Sequence, residues 1–158
     1  MEVSATTQPP SAADADTVAI GLFEDQELDG DVPAELRELL ASGEAAGSFK
    51  SLALAHAGGA RWLSVGLGPR ADFNSERARV AAAVARERVR ELATRALCWR
   101  APAGGGADLT AALVEGTILA DYRFERFKST PASDDDSKPK HLDRLIVSSS
   151  EDVDAAVA

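Results

Sequence analysis

The segment LVEGTILADYRFERFKS, residues 113–129, combines a helical pattern with an unusual density of aromatic side chains. Tyr122, Phe124 and Phe127 alternate there with basic residues, although aromatic residues make up only 5% of the chain. The first of two apolar stripes on the helical wheel consists of Leu109, Ala112, Leu113, Gly116, Ala120 and Phe124, and the second of Val114, Ile118 and Tyr122. A polar strip of Thr110, Thr117 and Asp121 separates them on one side. Because a surface helix has one apolar stripe, we expect this helix to be buried on two sides.

The rest of the chain alternates strand patterns with helix patterns. Strand patterns cover residues 17–23, 51–57, 61–65, 96–99 and 142–148, and the second and third are joined by a hairpin turn, Ala-Gly-Gly-Ala. Helix patterns cover residues 33–42, 74–94 and 109–124, the last with Asp108 as its predicted cap. This order predicts an α/β fold, a three-layer α/β/α sandwich with a mixed, mostly parallel sheet.

Three parts of the chain differ in composition. Residues 1–16 are rich in Ala, Ser, Thr and Pro and are predicted to be a flexible leader. Residues 17–148 are predicted to be the folded domain. In residues 149–158, Ser149 or Ser150 precedes two acidic residues, which is a favourable helix start. We expect this last part to begin a helix that leads to a further segment.

Composition limits the classes of function. Hydrophobic residues make up 45% and charged residues 27% of the 158-residue chain, as in globular domains. The net charge of −9 argues against a broad nucleic-acid interface, because phosphate binding needs clustered Lys and Arg. The single cysteine, Cys98, suits a reducing compartment, and no apolar run approaches the roughly 20 residues that span a bilayer. A cytoplasmic location is therefore expected.

The side chains that could carry chemistry are few. Neither His56 nor His141 has a ligand-like partner four residues on, and the acidic run Asp134–Asp136 lies in a polar tract that does not impose a coordination geometry. Cys98 lies within a predicted strand and is interpreted as a packing thiol rather than a nucleophile. The sequence therefore predicts no catalytic residue, cofactor ligand or metal ligand in this chain.

Two glycine motifs and one basic helix bear on nucleotide and DNA binding. Residues 66–71 match a dinucleotide fingerprint only superficially because Pro69 interrupts it, and residues 104–106 lack a following P-loop lysine. Both are interpreted as loops. The helix over residues 74–94 has a predicted buried face of Ala78, Ala81, Ala85, Val89 and Leu92. Its charged residues, among them Arg79, Arg86, Glu87, Arg90 and Glu91, are interpreted as a solvated face.

Several segments, in this order, resemble the N-terminal domain of the leucyl (cytosol) aminopeptidases. They are residues 21–28 (GLFEDQEL), 47–50 (GSFK), 56–68 (HAGGARWLSVGLG), the Ala/Arg-rich helix and 115–129 (EGTILADYRFERFKS). The resemblance covers roughly residues 18–148. It implies a macro-like α/β domain joined by a helix to a larger C-terminal peptidase domain.

The resemblance also implies where the chemistry of such proteins lies. In the family the C-terminal domain is a two-metal exopeptidase, with Mn or Zn held by Lys, Asp and Glu, and it builds most of a homo-hexamer. No position of this chain matches its catalytic motif. The N-terminal domain is implied to be non-catalytic, supporting assembly and shielding the active site. Tyr122, Phe124 and Phe127 are its predicted contacts with the peptidase domain or the linker.

Two alternatives stay open from the sequence. One is a free-standing macro-like module that binds ADP-ribose or a related nucleotide at the carboxyl ends of the strands. The other is an accessory domain that binds DNA through the arginine-bearing helix. The metal's identity, the peptide preference and the oligomeric state of the isolated domain cannot be predicted from these residues.

Overall fold

The computed structural model describes residues 1–123 and 141–158, which form a six-stranded sheet with helices on both faces. The strands are β1 (Glu2–Thr6), β2 (Thr17–Phe23), β3 (Leu52–Ala57), β4 (Ala60–Gly68), β5 (Ala96–Arg100) and β6 (Arg144–Ser148). The helices are α1 (Ala34–Ser42), α2 (Ser75–Glu91), α3 (Gly106–Arg123) and α4 (Asp154–Val157), with short 3₁₀ helices at Pro10–Ala12 and Arg70–Asp72. Phe124, Phe127 and Asp134–Asp136 lie outside the described residues.

The sheet has the order β1-β6-β5-β2-β4-β3 and is parallel except for β3. The strand β2 lies inside it, between β5 and β4, and four of its first five residues are almost fully buried. Its β-branched apolar sequence suits this position, because an interior strand of a parallel sheet is covered on both faces. The predicted mixed, mostly parallel sheet is confirmed.

The β3–β4 hairpin supplies the antiparallel pair. Gly58 and Gly59 form its two-residue turn with φ angles of 59° and 78°. Two consecutive positive φ angles are the requirement of the turn type that matches the twist of a hairpin, and glycine adopts them without steric cost. The pair Ala57–Ala60 closes the ladder as the sequence predicts.

Two apolar clusters, one on each face of the sheet, make the fold a three-layer α/β/α sandwich. On one face Leu36 of α1 packs with Val18 and Ile20 of β2. On the other face the alanine stripe of α2 and Leu113 of α3 pack over the core strands. Asn74 caps α2 by accepting a hydrogen bond from the Arg77 amide at 3.0 Å. The predicted buried residues Ala78, Ala81, Ala85 and Val89 are all 0% exposed, and Leu92 is partly buried.

The prediction of a loose leader is wrong for its first part. Residues 2–6 form β1, which pairs in parallel with β6 at the edge of the sheet. Val3 and Ala5 alternate with polar residues and are partly buried against the core, so the segment has the two-residue period of a half-buried strand. The strand is anchored by a partner that lies about 140 residues away in the chain, which local composition does not show.

The last residues also differ from the expected helix start. The helix begins at Asp154 rather than after Ser149 or Ser150, and it is only four residues long. Val153, which precedes it, is 3% exposed and belongs to the same core cluster as α2 and α3. The C-terminal segment therefore packs on the domain over its described length. Its role as a linker stays a prediction.

Candidate functional site

The predicted contact residue Tyr122 lies on the exposed side of α3, near its C-terminal end. Its residue surface is 72% exposed, and Ile118 and Leu119 beside it are 38% and 58% exposed. Because residues three and four apart in a helix are neighbours, Ile118, Leu119 and Tyr122 form one surface, here called the α3 apolar patch. The other two predicted contacts, Phe124 and Phe127, lie outside the described residues.

The burial of α3 differs from the two-stripe prediction. The first stripe is buried at Ala112, Leu113 and Gly116, but the second is exposed at Ile118 and Tyr122. The polar strip is buried instead: Thr110, Thr117 and Asp121 are 3%, 0% and 8% exposed. Thr117 satisfies its hydroxyl by donating to the Leu113 carbonyl oxygen at 2.9 Å within the same helix.

The helices α2 and α3 approach each other closely at Gly116. A Cβ atom at this position would lie 2.7 Å from Arg79 Cα, which is inside van der Waals contact. Gly116 therefore lets the two backbones meet, although glycine costs helix propensity. Close approach brings the polar strip of α3 against α2 rather than against solvent.

The contact partner of the polar strip is Arg86. Its Nε donates to Asp121 Oδ1 at 2.6 Å, and the two side chains are 4% and 10% exposed. Asp121 also accepts from the Leu142 amide at 3.4 Å and lies 3.4 Å from His141 Nδ1. This carboxylate therefore joins α2, α3 and the segment that enters β6. Placing Arg86 on the solvated face of α2 was wrong.

Three other arginines of α2 pair with carboxylates near the surface, and a fourth, Arg77, lies with its guanidinium 4.7 Å from the centre of the Phe49 ring. Arg79 donates to Glu115 on α3 at 2.8 Å, Arg88 to Glu91 at 2.7 Å and Arg90 to Glu87 at 2.6 Å. The exposed surface of α2 is therefore of mixed sign rather than a basic face. This arrangement supports the solvated-face interpretation and disfavours phosphate-backbone contacts, which require an excess of positive charge.

A cleft of about 690 Å³ lies at the carboxyl ends of the parallel strands. The ends of β2, β5 and β6 line it with Phe23, Arg100 and Ser148, and the segments that follow β1, β2, β4, β5 and β6 complete its walls. In open α/β sheets ligands commonly bind at this edge, where loops from several strands converge. The sequence did not predict the cleft because its lining residues come from five separate parts of the chain.

Two arginines in the cleft are held in place by different contacts. The guanidinium of Arg70 lies 4.6 Å from the centre of the Phe23 ring and donates to the Ala103 carbonyl at 2.6 Å. Arg100 Nη2 lies 3.4 Å from Asp29 Oδ1, a weak pair because the Asp29 side chain is 94% exposed. Within the described ranges, Arg100 Nη1 and Trp99 Nε1 are the buried side-chain nitrogens without a hydrogen-bond partner.

Carboxylates line the same cleft. Glu27, Asp29 and Glu151 all contribute to its walls, so the two arginines are outnumbered. Glu151 Oε1 accepts a hydrogen bond from the Gly104 amide at 3.1 Å. Gly104 has a φ of 72°, a left-handed conformation that favours glycine. Residues 104–106 therefore present an amide to an anion, and that anion is a side chain of this protein.

The glycine motif at residues 66–71 has a structural role. Gly66 and Gly68 belong to β4 rather than to an exit loop. A Cβ atom on Gly66 would lie 2.8 Å from the carbonyl carbon of Ser48, so this glycine lets the chain before β3 cross close to the sheet. The dinucleotide-fingerprint match at residues 66–71 is thus explained by backbone packing.

The remaining candidates for chemistry are isolated. Cys98 is 0% exposed, and burial raises the pKa of its thiol from 9.0 to about 12. A thiol that stays protonated is a poor nucleophile, which fits the packing interpretation. His56 is exposed on β3, and His141 lies beside Asp121. The described part of the chain contains no group of three or more His, Cys, Asp or Glu residues placed to hold a metal ion.

The sequence matches the family model of the cytosol aminopeptidase family N-terminal domain over residues 11–131. The chain belongs to the cytosol aminopeptidase family. It is 32% identical over 136 residues to a probable cytosol aminopeptidase of Roseiflexus castenholzii, covering 82% of this chain and 27% of that protein. A probable cytosol aminopeptidase of Microcystis aeruginosa is also 32% identical, over 142 residues that cover 82% of this chain and 29% of that protein.

The domain thus spans between a quarter and a third of these relatives' length. Solved structures agree on the fold. A mutant of tomato leucine aminopeptidase superposes with a TM-score of 0.76 at 18% identity, over 99% of the domain and 34% of that chain. The bottromycin maturation enzyme BotP in complex with Mn gives 0.64 at 24% identity, over 90% and 28%. The macrodomain of Thermus aquaticus DarG gives 0.56 at 9% identity, over 92% and 97%.

None of the helices in the described ranges is both long enough and apolar enough to cross a bilayer.

Proposed function

We propose that this chain is the non-catalytic N-terminal domain of a cytosolic aminopeptidase, an exopeptidase that releases N-terminal amino acids from peptides. One observation carries the proposal: the match to the N-terminal family model, in a chain that covers only 27% and 29% of its two relatives. The peptidase domain would follow in the same polypeptide and would hold two divalent ions, Mn or Zn. The complex of BotP with Mn, an enzyme that shares this fold, supports Mn as one of the two metals.

A direct assay tests the non-catalytic part. The pure 158-residue chain, supplied with Mn or Zn, should not hydrolyse a leucine anilide above the rate in buffer. The reason is that its ionisable side chains, where described, form ion pairs or stand alone rather than clustering as metal ligands. A two-domain leucine aminopeptidase serves as the positive control. Metal-dependent turnover by the pure chain would overturn the proposal.

We propose further that the α3 apolar patch packs against the peptidase domain. Exposed apolar side chains that adjoin one another mark interaction surfaces, and Leu119 and Tyr122 are more than half exposed. Phe124 and Phe127 follow the patch directly in the sequence and are proposed to extend it. The same contact would help the domain to support a hexamer and to shield the active site.

A two-background comparison tests the patch. The variant Leu119→Ser with Tyr122→Ser should leave the thermal stability of the 158-residue chain almost unchanged, because both side chains are exposed. In a protein that carries the peptidase domain as well, the same variant should lower stability or shift the hexamer towards smaller species in light scattering. Glu38→Ser, on the exposed side of α1, is the matched control. Equal behaviour of patch and control variants in the longer protein would refute the contact.

The second candidate is nucleotide binding in the cleft. The position of the cleft at the carboxyl ends of the strands favours it, as does the presence of Arg70 and Arg100. The three carboxylates of the cleft act against a phosphate-bearing ligand. Calorimetry with ADP-ribose decides the question, since the absence of binding heat at millimolar ligand would remove this candidate.

A further inference from the structure

The cleft contains a charged group whose bonding is incomplete. Arg100 carries a permanent positive charge, and its Nη1 is buried without a hydrogen-bond partner in the described part of the chain. Among the described residues, its Nη2 has a long contact of 3.4 Å with the Asp29 carboxylate. The Arg100 side chain is 23% exposed, so it is partly buried at the cleft. Charged nitrogens removed from water are normally hydrogen-bonded, so an unpaired buried Nη1 needs an explanation.

The guanidinium of Arg100 packs against the backbone at Gly30. A Cβ atom on Gly30 would lie 2.6 Å from Arg100 Nη2, so the guanidinium lies directly over this glycine. Gly30 itself has a φ of 80°, which favours glycine for a second reason. Any larger residue at position 30 would displace the guanidinium.

The cleft also contains an occupied anion position. The Gly104 amide donates to the Glu151 carboxylate at 3.1 Å, and both residues line the cleft together with Arg100. Glu151 comes from the segment after β6, and its own amide donates to Ser149 Oγ at 3.1 Å. A carboxylate on an exposed segment can be displaced, because its side chain has rotational freedom and its loss from the site exposes no apolar core.

We propose that this cleft is a binding site for a small organic oxyanion, a phosphate- or carboxylate-bearing molecule, with Arg100 and the Gly104 amide as its anchors and Glu151 as a resident competitor. Guanidinium groups recognise both kinds of oxyanion through paired N–H donors. The apolar side chains of Ile20, Leu22 and Phe23 at the cleft would face the remainder of the molecule. The proposal rests on the second candidate function only for its location and does not depend on the peptidase proposal.

Titration of the 158-residue chain with inorganic pyrophosphate and with malonate, at constant ionic strength, tests the site. Glu151→Gln removes the competing charge and should tighten binding of both probes by about tenfold. Arg100→Gln should weaken binding by at least about tenfold. The probe that binds Glu151→Gln more tightly identifies a phosphate-bearing or a carboxylate-bearing ligand.

Matched controls separate the site from general charge effects. Glu38→Gln makes the same charge change as Glu151→Gln on α1, and Arg144→Gln makes the same change as Arg100→Gln at the opposite end of the sheet. Both should bind the probes as the unchanged chain does. The proposal is overturned if Glu151→Gln binds no more tightly than Glu38→Gln. It is also overturned if a folded Arg100→Gln variant, checked by circular dichroism, binds as well as Arg144→Gln.

The test distinguishes this inference from the nucleotide candidate. Tighter pyrophosphate binding by Glu151→Gln without any ADP-ribose binding would support the oxyanion site and remove the nucleotide function. If the Glu151→Gln variant bound neither pyrophosphate nor malonate, the oxyanion site itself would be refuted.

Discussion

Arg86 and Arg100 are both largely removed from solvent, but their charges are paired to different extents. Arg86 lies between α2 and α3 and donates to a carboxylate that is itself 10% exposed. Arg100 lies at the cleft, where its nearest carboxylate is 94% exposed and one of its nitrogens is unpaired within the described residues. Arg86 therefore contributes its charge to the packing of the fold, whereas the charge of Arg100 lines the cleft with incomplete pairing.

The largest effect is expected from breaking the Arg86–Asp121 pair. Asp121→Asn would remove the carboxylate charge that faces the buried Arg86 guanidinium, and we expect a loss of about 3–5 kcal/mol in the free energy of unfolding. Urea denaturation followed by circular dichroism measures this loss as a change in midpoint at constant slope. Glu91→Gln, which breaks the exposed pair with Arg88, should cost less than about 1 kcal/mol.

A double variant sharpens this result. Arg86→Met combined with Asp121→Leu removes both charges and retains most of the buried volume, so it should recover most of the stability that Asp121→Asn loses. A double variant as unstable as Asp121→Asn would show that the hydrogen bonds of Asp121 to the segment entering β6, rather than the charge pair, carry the stability.

Local sequence patterns were sufficient for the elements but not for the pairings between them. The predicted strand at residues 17–23 coincides with β2, because a β-branched apolar run bounded by charged residues is a local signal. The helix start at Asn74 is local too. By contrast, β1 is held by a partner strand about 140 residues away, so the polar and apolar alternation at residues 2–6 was the available signal.

The burial of Arg86 illustrates what a single helix pattern misses. Arg86 lies four residues after Ala82 and three before Val89, which places it on the buried face of α2. Asp121 likewise follows Thr117 by four residues on the polar strip of α3. An acidic and a basic residue, each on the buried side of its helix, were therefore the signal for the buried ion pair. That signal could be used only with the knowledge that α2 and α3 pack together. The cleft gave even less local signal, because segments that follow five different strands build it.

A second, smaller effect is expected at the helix contact that brings Arg86 and Asp121 together. Gly116→Ala would place a methyl group against the Arg79 backbone, so we expect a loss of about 1–3 kcal/mol from overpacking. The sign of the change in the free energy of unfolding tests the contact, because a Gly→Ala change in an exposed helix interior would increase stability by roughly 0.5–1 kcal/mol. Urea denaturation measures it, with Ala107→Gly on exposed α3 as the reference for propensity. Stabilisation by Gly116→Ala would contradict the close contact.

Arg100 should contribute much less to stability than Arg86. We expect Arg100→Met to change the free energy of unfolding by less than about 1 kcal/mol, because the pair with exposed Asp29 is weak. The same urea titration applies, with Arg86→Met measured in parallel. A loss at Arg100 comparable with that at Arg86 would contradict the view that the Arg100 charge is available to a ligand.

The smallest effect on stability near neutral pH is expected at Cys98, a buried group that is neutral rather than charged. Burial raises the pKa of its thiol to about 12 in the folded chain, whereas an unfolded thiol ionises near its ordinary value of 9.0. The folded chain therefore binds the thiol proton more tightly than the unfolded chain. The stability that this thiol contributes is fully present below about pH 9 and is lost as pH rises from about 9 towards 12. Cys98→Ala should remove this part of the alkaline pH dependence.

Thiol labelling tests the same assignment without changing the sequence. With Ellman's reagent at neutral pH the folded chain should react only as fast as it unfolds, and the chain in denaturing urea should react at once. The labelling rate of Cys98 depends on the stability of the fold. Asp121→Asn should therefore speed the labelling, whereas Arg100→Met should not, because only the first change weakens the fold. Rapid labelling of the unchanged, folded chain would show that the thiol is accessible and would contradict its role in packing.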